Sequence, residues 1–230
     1  MAERPVFIPK YSYPYYQEVS VSFHYAAGFA LVQRQKNIAA IHEAYLIIDP
    51  HARILEASSK SPSSLGKSLS PFYLKAEYLG REVPVENIFQ SCKVFQSGGP
   101  FLQILDMQPV KAKTTSLTKT HGPLLYYEYD HERYPIDPHG WLYDWIYLHA
   151  LAAHPDLLNQ LSDYNAFTDI AFNPKTGSTC QAKCLAICLG LQKKNLLEAA
   201  LSSLPEFLKI LFRVSWPENI PDEQENRQPL

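Results

Sequence analysis

The chain has 230 residues, of which 46% are hydrophobic and 13% aromatic, which favours one large domain with a sizeable core. No apolar run approaches the roughly 18 residues of a membrane span, and residues 1–20 lack the apolar block of a secretory signal. The four cysteines are too sparse for a disulfide-stapled secreted domain, so we expect free thiols. A cytoplasmic protein that makes no contact with membranes is the expectation.

Charge is segregated along the chain. The net charge of −2 argues against an extensive basic surface for nucleic acid. Residues 128–169 contain eight acids and a single arginine, whereas residues 57–76, 107–127 and 170–197 contain lysines and no acid. The near-neutral average therefore does not exclude a local anion-binding site.

The first third of the chain predicts one helix and several short extended segments. Residues 1–20 are rich in proline and tyrosine, which favours an extended strap lying on the surface. Residues 29–45 carry apolar side chains at a helical period and predict a helix. Residues 45–48 and 53–57 flank a turn sequence and predict a β-hairpin, and residues 58–70, with seven serines, predict a loop.

A helix is predicted over residues 85–96, where a first-turn proline precedes apolar positions at helical spacing. Glu86, Gln90 and Lys93 stand at i, i+4 and i+7, so they lie on one face beside the apolar stripe. The sequence Gly98-Gly99-Pro100 predicts the end of this helix.

The second half is predicted to be largely helical. Expected helices cover residues 141–153, 156–161, 180–194 and 196–212, the last interrupted at Pro205. The resulting fold class is α+β, a mainly helical single domain with a small β-sheet. This domain would span residues 21–215, between the strap of residues 1–20 and an acidic, flexible tail of residues 216–230.

Metal binding and several common enzyme classes are disfavoured. Cys180, Cys184 and Cys188 span roughly 12 Å along one helix face, too far to converge on one zinc ion, so they are expected to be buried apolar residues. The histidines of residues 131–154 match no helical ligand spacing. The chain also lacks a nucleophile elbow, a P-loop and a dinucleotide fingerprint. No metal and no cofactor are expected.

A lysine in the serine-rich loop, Lys60, is followed 26 residues later by Glu86 at a helix start. Taken alone, this pair is more typical of a solvated loop lysine and a glutamate that complements the helix dipole than of a catalytic pair. The surrounding run of residues 55–95 resembles the opening of a NADAR domain, and the chain over about residues 20–195 resembles the NADAR branch paired with DarT toxins. The matching residues are Ser59-Lys60, Leu69-Ser70, Phe72-Tyr73, Gly80, Val85-Glu86, Phe89-Gln90 and Lys93.

The sequence departs from the family pattern at three places. Pro71 replaces an asparagine, Asn87 replaces the histidine after the glutamate, and Phe172-Asn173-Pro174 stands where the family has Trp-Gly. Lys60 and Glu86 are both retained.

The resemblance implies hydrolysis of the N-glycosidic bond that joins ADP-ribose to guanine in DNA. It implies Lys60 as the nucleophile that forms a Schiff base and Glu86 as the general acid and base. Modified DNA would be the substrate, ADP-ribose the product and a DarT-type toxin the genetic partner. Further substrate-binding roles are expected for a neighbouring lysine, the Glu86 helix face, a bare backbone turn and a second acidic motif: Lys67, Phe72, Gln90, Lys93, Gly98, Gly99, Asp169 and Asn173.

Two alternatives remain open at this stage. The same fold could hydrolyse a small N-glycoside, such as a phosphoribosylated pyrimidine of riboflavin synthesis, which other NADAR branches handle. A protein without catalytic activity could instead neutralise a toxin by binding it, with the aromatic residues of the N-terminal strap as the contact: Tyr11, Tyr13, Tyr15 and Tyr16.

Overall fold

The structure is a computed structural model that describes residues 1–175, 177 and 179–215. The predicted acidic tail of residues 216–230 lies outside the described residues. The helices are α1 Leu31–Leu46, α2 Ser64–Ser68, α3 Val85–Ser91, α4 Pro109–Thr114, α5 Trp141–Ala152, α6 Pro155–Leu161, α7 Gln181–Lys193, α8 Leu197–Leu201 and α9 Leu204–Phe212. The strands are β1 Ala2–Pro9, β2 Tyr16–Phe23, β3 Ile54–Glu56, β4 Lys75–Tyr78, β5 Arg81–Pro84, β6 Lys93–Phe95, β7 Leu124–Tyr129, β8 Glu132–Tyr134 and β9 Ala166–Thr168.

A four-stranded sheet in the order β2-β1-β9-β3 positions the loops of interest. β1 pairs with β2 and β9 in antiparallel fashion, whereas β3 and β9 are parallel, with Glu56 opposite Thr168. The carboxyl ends of two parallel neighbours meet at one edge of a sheet. The loop that carries Lys60 and the loop that carries Asp169 therefore start side by side.

The N-terminal segment is part of this sheet. Its backbone is extended, but Val6 and Phe7 are 0% and 2% exposed and face two different hydrophobic clusters. The prediction of a strap on the surface therefore differs from the structure, because α1 covers one face of the sheet and the main core covers the other. Gly190 of α7 allows this packing, since a Cβ there would lie 2.5 Å from the carbonyl oxygen of Lys10.

The hairpin predicted around Asp49 is wrong. α1 continues to Leu46, and Ile47 and Ile48, the rest of the first predicted strand, are exposed. The second predicted strand does form, but it pairs with β9, which lies more than 100 residues later. Its buried Leu55 lies opposite the fully buried Phe167, so burial in the core decides the pairing over the nearby turn sequence.

The helix predicted over residues 85–96 is real but shorter. α3 ends at Ser91, and residues 93–95 form β6, which pairs with β7. Val94 and Phe95 are β-branched and aromatic, and the available strand partner overrides the helical period. The Gly98-Gly99-Pro100 segment consequently forms a turn after a strand and does not end a helix.

The helices of the second half, α5 to α9, follow the prediction closely, and the α+β fold class is confirmed. The short helices α2 and α4 were not predicted, and α2 lies within residues 58–70, which were predicted to be a loop; its buried Leu65 packs into the main core. α5 and α7 form the centre of the main core, where Trp141, Tyr147 and Leu185 are fully buried. All four cysteines are buried free thiols, as predicted. No helix within the described part of the chain is long and apolar enough to cross a membrane.

Candidate active site

A chain of side-chain hydrogen bonds runs along one face of α3. The helix start is fixed by two backbone bonds, from Val85 N to Leu74 O and from Glu86 N to Pro71 O, each 3.0 Å long. Gln90 Nε2 donates to Glu86 Oε1 over 2.8 Å, and Lys93 Nζ donates to Gln90 Oε1 over 2.8 Å. Glu86 is 3% exposed and Gln90 8% exposed. The predicted shared face therefore exists, and Lys93 remains on it although it begins β6.

Lys93 lies in surroundings that disfavour its charge. The pKa of its ammonium group is lowered to about 8, mainly by burial; the charge of Glu86 opposes this shift, and the nearby charge of Lys113 contributes to it. The ammonium also lies 4.4 Å from the centre of the Phe89 ring. Its free-amine form is therefore accessible near neutral pH, which is unusual for a lysine.

Asn87, which replaces a histidine of the family pattern, faces away from this cluster. Its Nδ2 donates to the carbonyl oxygens of Ile104 and Met107, each over 2.8 Å, and the residue is fully buried. It therefore holds the segment between β6 and α4 against α3. The side chain at this departure from the pattern therefore has a structural role and makes no hydrogen bond to Glu86.

Glu56, at the end of β3, links the two loops at the sheet edge. Its Oε1 accepts from Ser58 Oγ over 2.6 Å and from Ile170 N over 2.9 Å, and its Oε2 accepts from Thr168 Oγ1 over 2.6 Å. Ser58 Oγ in turn accepts from the backbone N–H of Lys60 over 3.2 Å. Burial raises the pKa of Glu56, and its three hydrogen-bond donors oppose that shift.

Asp169 follows β9 and is 7% exposed. The pKa of Asp169 is raised to about 7, mainly by burial and in addition by the charge of Glu56. The N–H of Ala171 and the charge of Lys113 oppose this shift. The Ala171 N–H donates to Asp169 Oδ1 over 2.9 Å. A buried carboxyl group that titrates near neutral pH beside a polar loop is typical of functional sites.

A histidine that the sequence analysis did not select extends this network to α1. His42 Nε2 lies 3.0 Å from Thr168 Oγ1. Because that hydroxyl donates its proton to Glu56, the imidazole N–H is the donor. Burial lowers the pKa of His42 to about 4, so the ring is neutral at physiological pH.

Phe72 and Lys113 meet near the start of α3. Lys113 Nζ lies 5.6 Å from the centre of the Phe72 ring. Phe72 follows Pro71, whose carbonyl oxygen accepts from Glu86 N, so this contact lies next to the first turn of α3. Sequence analysis placed Phe72 among the candidates but missed Lys113, Glu56 and His42. Two features of the sequence could have indicated these residues. Lys113 lies in a segment without acids, and Glu56 is an acidic residue within a predicted apolar strand.

Other candidates lie apart from the hydrogen-bonded clusters. Lys60 is exposed, and its backbone bond to Ser58 is what links its loop to Glu56. Lys67 is exposed in the last turn of α2. Asn173 is exposed in a groove beside β1 and β2, where its Oδ1 accepts from Lys175 N.

Gly98 and Gly99 serve the turn after β6. Gly99 has a φ of 108°, and a Cβ on it would lie 2.3 Å from Lys93 O, so only glycine fits. A Cβ on Gly98 would lie 2.6 Å from the His121 ring. The backbone conformation thus requires glycine at position 99, whereas at position 98 glycine leaves room for the His121 side chain.

In the described part of the chain, no three His, Cys, Asp or Glu side chains are grouped so that they could hold a metal ion.

A search of curated proteins finds no match. The sequence profile of the DarT1-associated NADAR antitoxins matches residues 2–220, a range that includes the N-terminal β-hairpin as well as both candidate loops. The chain therefore belongs to the family of DarT1-associated NADAR antitoxins, as its sequence resemblance predicted, and a DarT toxin is its genetic partner.

Proposed function

We propose that this antitoxin is a glycosidase that removes ADP-ribose from guanine in DNA and so reverses the modification made by its toxin. The observation that carries the proposal is the buried carboxyl group of Glu86, joined through Gln90 to Lys93. A buried acid whose position is fixed by a neighbouring amide suits proton transfer to a leaving base. Cytoplasmic action follows from the same proposal, because the modified DNA is there.

The chemistry requires a nucleophile and a proton donor. The Lys60 amine, as the free base, forms a bond to the ribose C1 carbon as the bond from C1 to guanine breaks, and protonated Glu86 gives its proton to the guanine nitrogen. Opening of the ribose ring then yields a protonated imine between C1 and Lys60. Water adds to the imine carbon with Glu86 as base, and cleavage of the bond to Lys60 releases ADP-ribose and the free amine.

Glu56 supports a shared site for Lys60 and Asp169. One carboxylate binds Ser58, whose hydroxyl holds the backbone of Lys60, and also binds the N–H of Ile170, which follows Asp169. We infer that Asp169 accepts hydrogen bonds from the ribose hydroxyl groups in its ionised form. The proposed contacts of the outer parts of the substrate are Lys67, Gly98, Gly99 and Asn173.

The proposal is tested with an oligonucleotide that carries ADP-ribosylated guanine. The wild type should release ADP-ribose, whereas Lys60→Ala and Glu86→Gln should lose at least about a hundredfold in rate. Lys36→Ala, at an exposed lysine of α1 outside the candidate set, is the matched control and should retain full activity. Wild-type turnover by Lys60→Ala would contradict the Schiff-base role.

Two further measurements separate the competing chemistries. Borohydride added during turnover should trap a covalent adduct on Lys60, which mass spectrometry would locate. Parallel assays with free phosphoribosylated pyrimidines should show no release of base. Turnover of these small nucleotides with no action on modified DNA would instead favour the small N-glycoside reaction.

A toxin-binding role is a second candidate, favoured by the turn between β1 and β2. Tyr11 and Tyr13 are 55% and 38% exposed at this turn, and the Arg213 guanidinium lies 3.8 Å from the centre of the Tyr13 ring. Tyr15 and Tyr16 instead pack against the main core. If binding alone neutralised the toxin, Glu86→Ala would still protect cells; we expect that it does not.

A further inference from the structure

Two lysine ammonium groups lie near α3, one bound to Gln90 of that helix and the other over the ring of Phe72. Lys93 is joined to Glu86 through the amide of Gln90. Lys113 lies over the ring of Phe72, directly after the residue that accepts the Glu86 N–H. The two lysines come from different elements, β6 and α4, so their approach is produced by the packing of α4 on α3.

Neither ammonium group has a carboxylate within 4.0 Å among the described residues. Lys93 is paired with a neutral amide oxygen, and Lys113 with an aromatic face. Each lysine is close enough to the other for Lys113 to lower the pKa of Lys93. The carboxylates of Glu86 and Asp169 act on Lys93 and Lys113 from beyond ion-pair distance. Each ammonium group can therefore still pair with a bound anion, which would also reduce the repulsion between the two lysines.

We propose that Lys93 and Lys113 form a two-cation site, walled by Phe72, for the diphosphate of the ADP-ribosyl group. This inference rests on the proposed function, since it assigns the part of the substrate that is joined to the ribose at C5, across the ring from the scissile bond at C1. The half-buried Lys93 and the exposed Lys113 provide one inner and one outer positive charge, which match the two phosphates of a diphosphate.

A DNA phosphodiester is the other source of phosphate, and the geometry favours the diphosphate. Lys93 is linked by two consecutive hydrogen bonds to Glu86, the proposed proton donor, so its ligand must lie close to the reacting carbon. The phosphodiesters of a DNA strand lie farther from that carbon, and no two of them are joined directly as the phosphates of a diphosphate are. The depth of Lys93 therefore assigns it to the diphosphate.

The site is tested by calorimetric titration of the full chain with ADP-ribose, inorganic pyrophosphate and an unmodified oligonucleotide. Lys113→Ala should weaken the binding of ADP-ribose and of pyrophosphate by about tenfold or more, the loss typical of one charge-assisted contact. The control is Lys111→Ala, two residues earlier on α4 and also exposed, which should bind both ligands as the wild type does. Because Lys113 is exposed, its removal leaves the core intact.

Each outcome separates the site from the proposed reaction. Loss of diphosphate binding in Lys113→Ala supports the site even if modified DNA is not hydrolysed, in which case the proposed reaction alone fails. Wild-type affinity of Lys113→Ala for ADP-ribose overturns the site, whether or not hydrolysis occurs. A loss confined to the unmodified oligonucleotide also overturns it, because it would assign Lys113 to the DNA strand.

Discussion

The buried carboxyl groups of Glu56 and Asp169 are close enough for the charge of Glu56 to raise the pKa of Asp169. They stand at the ends of the parallel neighbours β3 and β9, and the N–H of Ile170 donates to Glu56 directly after Asp169. Two acids brought together in this way cannot both ionise freely. The pair therefore gives the proposed site a protonation step near neutral pH.

Asp169→Asn tests this step through the pH dependence of activity. Burial and Glu56 raise the pKa of Asp169 to about 7, and we propose that the ionised form holds the ribose hydroxyls. The rate of the wild type, measured as kcat/KM on modified DNA, should therefore rise with pH through about 7. In Asp169→Asn the rate should be lower and this rise should be missing. A rise of unchanged position and size in the variant would contradict the assignment.

The same substitution should change stability with a definite sign. A carboxyl group with a raised pKa in the folded state keeps its proton up to about pH 7, whereas the unfolded chain releases it near pH 4. The wild type therefore loses stability as the pH rises from about 4 to 7, and Asp169→Asn does not. Urea unfolding should show similar stabilities at pH 4 and a more stable variant at pH 8.

Glu56→Gln tests the relationship between the two acids directly. Removing the charge of Glu56 should lower the pKa of Asp169, so the rise in kcat/KM should move to lower pH while the maximum rate is largely kept. The glutamine oxygen can still accept from Ser58 and Ile170. Glu56→Ala is the contrasting variant: it leaves buried donors without acceptors and should lose roughly 1–3 kcal/mol of stability for each. An unshifted profile in Glu56→Gln would show that the two acids are not coupled.

Lys93→Met should separate stability from activity. Because burial lowers the pKa of Lys93 to about 8, the folded protein disfavours the ammonium relative to water. Methionine avoids this penalty, so at pH 7 the variant should gain about 1 kcal/mol, or roughly 2–4 °C in Tm for a chain of this size. Diphosphate binding and hydrolysis should be lost.

The stability gain of Lys93→Met should depend on pH. Between about pH 8 and 10.5 the folded wild type no longer carries the charge that the unfolded chain still holds, so its penalty declines and the two proteins converge. Glu86, Lys113 and Cys92 are the titratable groups that act on Lys93. Lys36→Met, at an exposed lysine of α1, should change Tm little at any pH. A gain that persisted unchanged at pH 10.5 would have another origin.

The parts of the site that lie within one element were predictable from the sequence, and the parts between elements were not. Helical spacing alone places Gln90 beside Glu86, and the structure confirms it. Lys93 reaches Gln90 from the first residue of β6, as its spacing in the sequence predicted although the helix ends before it. The partnership of Glu56 with Thr168 and Ile170 depends on β3 pairing with β9 across more than 100 residues. A local turn sequence predicted a different partner for β3, and nothing near Lys113 in the sequence indicates that it reaches Phe72.

The role of Asn87, a departure from the family pattern, also depends on contacts between elements. Asn87 proves structural because its amide binds two carbonyl oxygens of the chain before α4. That segment leads to Lys113, so Asn87 contributes to the proposed diphosphate site only by positioning α4. Asn87 follows Glu86 directly in the sequence. Because successive residues of an α-helix are about 100° apart, its side chain lies on another side of α3.

We expect the largest loss of stability when the ion pair between Lys183 and Asp144 in the main core is broken. Lys183 Nζ lies 2.8 Å from Asp144 Oδ2, and Cys184 Sγ donates to Asp144 Oδ1 over 3.2 Å. Asp144 is 1% exposed, and its charge raises the pKa of Lys183 despite burial. Lys183→Met would leave Asp144 charged and unpaired, so we expect a loss of about 3–5 kcal/mol in urea unfolding at pH 7. The double variant Lys183→Met, Asp144→Leu removes both charges and should recover most of that loss, because the unpaired charge causes it. Equal losses in the single and double variants would instead assign the effect to packing around α5 and α7.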